Sequence, residues 1–93
     1  MKSAKLTVIV GEMNAGKTLV SDGLIGELHK RGEDTIFHEQ NGRNSERRVL
    51  KIMKTMKWDD KNMNVIYVCT VLPSQELLNY ATYVIRCGKN PVK

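Results

Sequence analysis

Residues 5–10 (KLTVIV) form a short, almost unbroken apolar run that stops at Gly11. A run without polar alternation predicts a strand buried on both faces, the kind that parallel sheets contain. Over residues 18–31 the pattern changes. Leu19, Val20, Leu24, Ile25 and Leu28 recur at helical intervals, and Gly32 supplies a stop. Gly23 and Gly26 weaken that helix by about 1 kcal/mol each relative to Ala, and are expected to let it approach the sheet closely. Residues 35–39 (TIFHE) predict a second strand, closed by the turn-rich segment 40–45 (QNGRNS). Asn44 or Ser45 can cap a helix over residues 46–57, whose inward stripe is Val49, Leu50, Met53 and Met56. Trp58, Asp59 and Asp60 turn the chain out of it.

Residues 65–70 (VIYVCT) are rich in β-branched and aromatic side chains and make the most strand-like run. Pro73 and Ser74 open a short helix through Tyr80 that carries Leu77 and Leu78 inward. Residues 82–87 (TYVIRC) predict a fourth strand, and residues 88–93 a polar tail. The order β-α-β-α-β-α-β predicts an α/β fold, a three-layer sandwich with right-handed crossovers, a four-stranded parallel sheet and helices on both of its faces. The length of 93 residues fits a single domain over 1–93. A chain of this size buries only about 60–65% of its unfolded surface, so cover from a partner or a second copy is expected.

Composition narrows the class. With 41% hydrophobic and 27% charged residues the chain is too apolar for a disordered tail, and two cysteines are too few for a disulfide scaffold. No apolar run approaches the roughly 18–20 residues of a membrane span, and no signal-like segment precedes the first strand, so a cytoplasmic location is expected. Lys and Arg number 15 against 10 Asp and Glu, a net charge of +5. Arg43, Arg47, Arg48, Lys51, Lys54, Lys57 and Lys61, opposed by Glu46, Asp59 and Asp60, hold +4 of it in one fifth of the chain. Such a segment is the footprint of a phosphate-backbone or acidic-protein binder, and equally of a solvated helix face. Cys69 and Cys87 lack the paired spacing of a metal site and read as buried free thiols. His29 and His38 stand apart from any ligand set.

The sharpest signal is Gly11-Glu12-Met13-Asn14-Ala15-Gly16-Lys17-Thr18, which fits G-x-x-x-x-G-K-S/T at every fixed position between a predicted strand and a predicted helix. Backbone N–H groups must all turn inward around a phosphate, and Gly11 and Gly16 permit the angles and the approach. The helix that follows adds partial positive charge at its amino end. Lys17 would bridge the β- and γ-phosphates, the Thr18 hydroxyl would hold Mg²⁺, and Leu19 closes the nucleotide-binding set. The chain thus resembles the P-loop nucleoside triphosphatases.

In that family an acidic residue at another strand tip organises Mg²⁺ or the attacking water. Ile36-Phe37-His38-Glu39 looks like the hydrophobic-hydrophobic-Asp-Glu of members with an extra catalytic glutamate, with His38 in place of Asp. The resemblance makes Glu39 the water-activating base and leaves the metal-organising aspartate missing. The basic helix, the strand NVIYVCT and the segment LPSQELLNYATYVIR resemble the stretch from acid strand to final strand in FtsK–HerA-like DNA pumps, phage packaging and conjugation ATPases included. In those a polar residue beside the γ-phosphate ends the sensor strand, and Thr70 occupies that position. One strand and one helix of the family are absent, so the resemblance implies a minimal core of sheet order 2-3-1-4 with nucleotide at the carboxyl ends of the strands.

The expected function is therefore binding of a nucleoside triphosphate, with weak Mg²⁺-dependent ATP hydrolysis and DNA engaged through Arg43, Arg47, Arg48, Lys51 and Lys54. Absence of an N-K-x-D base-recognition motif leans toward ATP over GTP. Arg43, Arg47 and Arg48 are also candidates for an arginine finger across a subunit interface, or plain surface charge; Trp58 and Tyr80 for base stacking, or packing at element ends. A homo-oligomer or a larger protein partner is expected. The alternative is a non-hydrolysing P-loop module that binds or inhibits a protein partner. A nucleotide kinase lacks support, because no arginine-rich lid follows the third strand.

Overall fold

The computed structural model describes residues 5–12, 16–40, 44–55 and 63–88. The elements run β1 (Lys5–Gly11), α1 (Lys17–Lys30), β2 (Asp34–Glu39), α2 (Ser45–Thr55), β3 (Met63–Cys69), α3 (Gln75–Leu78) and β4 (Ala81–Cys87). All strand pairs are parallel, in the order β2-β3-β1-β4. The α/β class and the four-stranded parallel sheet are those expected from the pattern, and the strand order is the one that the resemblance implied.

The two central strands carry the unbroken apolar runs because both of their faces are covered. Leu6, Val8 and Val10 of β1 join Val65, Tyr67 and Cys69 of β3 on one face, packed on Val49 of α2 and Leu77 of α3. Ile9, Ile66 and Val68 face the other way, onto Leu28 of α1. The result is three layers. Val10 lies opposite Cys69 and Gly11 opposite Cys87, so the carboxyl ends of β1, β3 and β4 share one edge.

Helix α1 departs from the expected stripe at one end. Val20, Leu24 and Ile25 pack with Leu28, but Leu19 is 79% exposed. Leu19, Gly23 and Gly26 are spaced four and three residues apart and share the outward face. A Cβ added at Gly23 or Gly26 would meet nothing within 4 Å, so these glycines do not bring the helix close to the sheet. The inward face instead carries Ser21, buried, its hydroxyl donating to the Thr18 carbonyl at 3.0 Å. Helix α2 buries Val49 and half-buries Leu50, Ile52 and Met53; Ile52 joins the stripe because it lies three residues beyond Val49. Met56 and the turn at Trp58, Asp59 and Asp60 lie outside the described residues. Helix α3 is a single turn, shorter than expected, with the Tyr80 N–H closing onto the Leu77 carbonyl at 2.9 Å. Cys69 is buried as expected, whereas Cys87 is half-buried, being on the edge strand. Among the described residues no helix is long and apolar enough to cross a membrane.

Two further links tie α2 to α3. The Glu46 carboxylate accepts from the Ser74 N–H at 3.2 Å and from the Ser74 hydroxyl, and so serves the amino end of α3. Lys54 donates to Glu76 at 2.8 Å.

Candidate phosphate-binding cleft

β1 ends at Gly11, where the backbone carbonyl of Cys87 passes so close that an added Cβ would sit 2.3 Å from its oxygen. Only glycine fits there, for a reason of strand packing that is separate from any ligand. At the other end of the loop Gly16 is left-handed, with φ 85° and ψ 15°, a conformation that favours glycine. It forms the N-cap of α1, without a side-chain cap and without an acid in the first turn. The first intrahelical bond is Val20 N–H to the Gly16 carbonyl, at 3.2 Å. The N–H groups of Lys17, Thr18 and Leu19 therefore lack intrahelical acceptors, and the helix presents its positive end to the edge of the sheet. Met13, Asn14 and Ala15, in the middle of the loop, lie outside the described residues.

Lys17 folds back over the loop it follows. Its ammonium donates to the Gly11 carbonyl and, at 2.9 Å, to the Glu12 carbonyl. An ammonium has three protons, so among the described residues one donor is uncommitted. Beside it opens a cleft of about 360 Å³, lined by Lys17, Thr18, Glu39, Gln40, Cys69 and Thr70. The fold thus brings together Lys17, Thr18, Glu39 and Thr70, four residues singled out in the sequence on three separate segments. Leu19 does not join them, because its side chain is on the outward face of α1.

Gln40 is the residue that sequence reasoning missed. Its N–H extends the ladder to the Val68 carbonyl at 2.7 Å. Its side-chain oxygen Oε1 accepts from the Thr70 N–H at 2.8 Å and from the Thr70 hydroxyl at 3.1 Å. A backbone N–H can only donate, which settles which amide atom faces Thr70 and turns Nε2 away from it. The hydroxyl proton of Thr70 is thereby committed to Gln40, so Thr70 is one half of a latch across the ends of β2 and β3. A polar residue directly after a candidate acid at a strand end was the available signal.

His38 is not part of the cleft. Successive strand residues face opposite sides. Ile36 packs on the α2 side, and His38, two residues on and opposite Tyr67 in register, shares that side. Glu39, opposite Val68, takes the α1 side with Thr18. Cys69 borders the cleft, but burial pushes its thiol up to about 11, against the opposing pull of Lys17, and leaves it protonated at neutral pH.

The basic helix lies on the sheet face opposite α1. Arg47, Arg48 and Lys51 are exposed on it. Lys54 is exposed too but paired with Glu76, whose hydrogen bond and charge raise its pKa. Arg43, Lys57, Lys61 and Trp58 lie outside the described residues. Tyr80 is partly exposed at the end of α3.

Among the described residues there is no group of three His, Cys, Asp or Glu side chains able to hold a metal ion. The donor set fits Mg²⁺ only in its nucleotide-borne form, since that ion keeps most of its water and needs one or two protein oxygens beside the phosphates. Thr18 and Glu39 line one cleft and are oxygen donors of that kind. Neither a protein-family model, nor a curated protein, nor a solved structure matches this chain.

Proposed function

We propose that the chain binds ATP, with the phosphates held by the loop between β1 and α1. The observation that carries this reading is the placement of Lys17: its ammonium bridges two loop carbonyls at the uncapped amino end of α1, beside a cleft that holds Thr18 and Glu39. In this reading the Thr18 hydroxyl holds the Mg²⁺ that accompanies the nucleotide. When bound, that ion neutralises phosphate charge. Glu39 takes the proton of the attacking water in slow hydrolysis, and Gln40, fixed by Thr70, offers its Nε2 protons to the cleft. DNA is engaged through Arg47, Arg48 and Lys51 on α2, with Arg43 and Lys54 flanking them in sequence.

A second reading is favoured by one observation: Glu39 is the single carboxylate among the described residues lining that cleft, which suits a module that holds nucleotide without turning it over and acts on a protein partner.

Calorimetric titration of ATP with Mg²⁺ into wild type and Lys17→Ala tests the shared premise. Binding by wild type that disappears in Lys17→Ala is the expected result, and equal binding by both refutes the proposal. Phosphate release, measured with and without DNA, separates the two readings. Release that is lost in Glu39→Gln while binding persists identifies the ATPase; its absence in wild type identifies the non-hydrolysing module.

A further inference from the structure

A second recess, of about 290 Å³, opens at the far end of α1, beside the amino ends of the strands. It is separate from the phosphate cleft. On α1 the two are lined by Thr18 and by Leu24 and Leu28, which at about 1.5 Å of rise per residue lie roughly 9–15 Å apart along the helix. The recess exists because one helix about 10 Å across cannot cover four strands spaced about 4.8 Å apart. α1 lies over Ile9, Ile66 and Val68 and leaves the flank of β4 open. A register shift between Leu6 and Thr7 in the β1–β4 ladder then sets Tyr83, 60% exposed, opposite Thr7.

The lining is not that of a dry packing gap. Leu24 and Leu28 of α1 and Ile85 of β4 form an apolar wall. At the floor are Thr7 and Asn64, both only 6% exposed. The Thr7 hydroxyl makes no hydrogen bond among the described residues. Asn64 spends its amide protons on Glu33, at 2.7 Å, and on the Asp34 carbonyl, at 3.4 Å; no described residue donates to its Oδ1. Buried polar groups are paired in nearly all folded proteins, so an unpaired hydroxyl beside an unmet acceptor at the bottom of an open recess points to something that bonds there. Two exposed cations, Lys5 and Arg31, stand at the mouth against one lining carboxylate, Glu33, whose Oε1 accepts from Asn64, so the charged lining is net positive.

We propose that this recess binds a small aromatic hydroxy acid. A single ring lies against Leu24, Leu28 and Ile85 and under the face of Tyr83. Its hydroxyl bonds inward to Thr7 and Asn64, and its carboxylate points outward to Lys5 and Arg31. The volume, at the low end of ligand pockets, limits the guest to about one ring. The site stands independently of the nucleotide reading.

The test uses 4-hydroxybenzoate as probe, titrated into isotope-labelled protein and followed by NMR. Saturable shifts at Thr7, Leu24 and Ile85 in the millimolar range are expected, with benzoate, which lacks the hydroxyl, binding about fivefold more weakly. Thr7→Val, nearly isosteric, is expected to raise the thermal midpoint and to erase the preference for the hydroxylated probe. Arg31→Gln is expected to weaken both probes by about five- to tenfold. Lys17→Ala should leave the titration unchanged. Shifts confined to Lys5 and Arg31, equal binding of the two probes by wild type, or loss of the response in Lys17→Ala would each overturn the assignment.

Discussion

Replacing glycine by alanine at four positions of this chain is expected to have opposite effects according to what the new methyl group meets. At Gly11 the added Cβ would lie 2.3 Å from the Cys87 carbonyl oxygen and 3.0 Å from its carbon. Ordinary contact begins near 3.4 Å, so the ends of β1 and β4 must part by about 1 Å, and the obstacle is backbone that cannot rotate aside. Forced repacking of this kind costs about 1–3 kcal/mol. At Gly16 nothing crowds the methyl, but φ is 85°, and a left-handed non-glycine residue costs about 1–2 kcal/mol. At Gly23 and Gly26 the methyl meets open space inside a helix, so each change should stabilise by about 0.5–1 kcal/mol.

Thermal and urea unfolding followed by far-UV circular dichroism measures the series. For a domain of this size about 1 kcal/mol moves the midpoint by roughly 4–8 °C. Gly11→Ala should therefore fall by about 4–24 °C, Gly16→Ala by somewhat less, and Gly23→Ala combined with Gly26→Ala should rise by about 4–16 °C. A double helix variant that unfolds earlier than wild type would refute the outward placement of these glycines and restore the close approach expected from sequence. A neutral Gly11→Ala would refute the contact between β1 and β4.

Gln40→Ala removes the acceptor of the Thr70 N–H and hydroxyl and should cost about 1 kcal/mol. Faster hydrogen exchange of the Thr70 amide would accompany it, whereas Gln40→Glu should keep that protection and, under the proposed function, weaken ATP binding by adding a negative charge to the cleft. Alkaline pH should destabilise the protein. Burial raises the Cys69 thiol from 9.0 to about 11 and the Tyr67 phenol from 10.0 to about 12, so the unfolded chain loses these protons first, and stability falls as pH rises from about 9. Cys69→Ala should flatten the first part of that fall in pH-dependent urea unfolding, and an unchanged slope would refute the assignment. If α2 meets DNA through Arg47, Arg48 and Lys51, fluorescence anisotropy should show log affinity falling with log salt at a slope of about −3, reduced by about 1 in Arg47→Ala.

Much of the fold is readable in the chain because the sheet is parallel and central. Val8, Ile9 and Val10, and again the five residues from Val65 to Cys69, are apolar on consecutive positions, which marks β1 and β3 as strands covered on both sides. What sequence could not resolve is direction around a helix. Leu19 is apolar and three residues from Asp22, yet it sits on the outward stripe with Gly23 and Gly26, because the inward arc is set by Leu24 and Leu28 meeting the sheet. The site divides in the same way. Lys17 and Thr18 were visible through a local motif, and Glu39 and Thr70 through their strand ends. The Gln40–Thr70 latch joins residues thirty apart in sequence through one amide oxygen, and no local pattern encodes such a pairing.

The alternation of β2 bears on how far the cleft can carry chemistry. His38 and Glu39 face opposite sides of β2, and of the two Glu39 lines the cleft. Here β2 stays paired with β3 through Glu39, and the Gln40 N–H continues the ladder to Val68. A straight strand end held by the Gln40–Thr70 latch leaves Glu39 to act without a second carboxylate from β2. Lys17 and the uncapped end of α1 supply positive potential for holding a phosphate. Under the proposed function, the parts that would hold a phosphate come from β1 and α1, while proton transfer to turn it over would depend on Glu39. Under the proposed function, binding should therefore survive changes at β2 that abolish turnover.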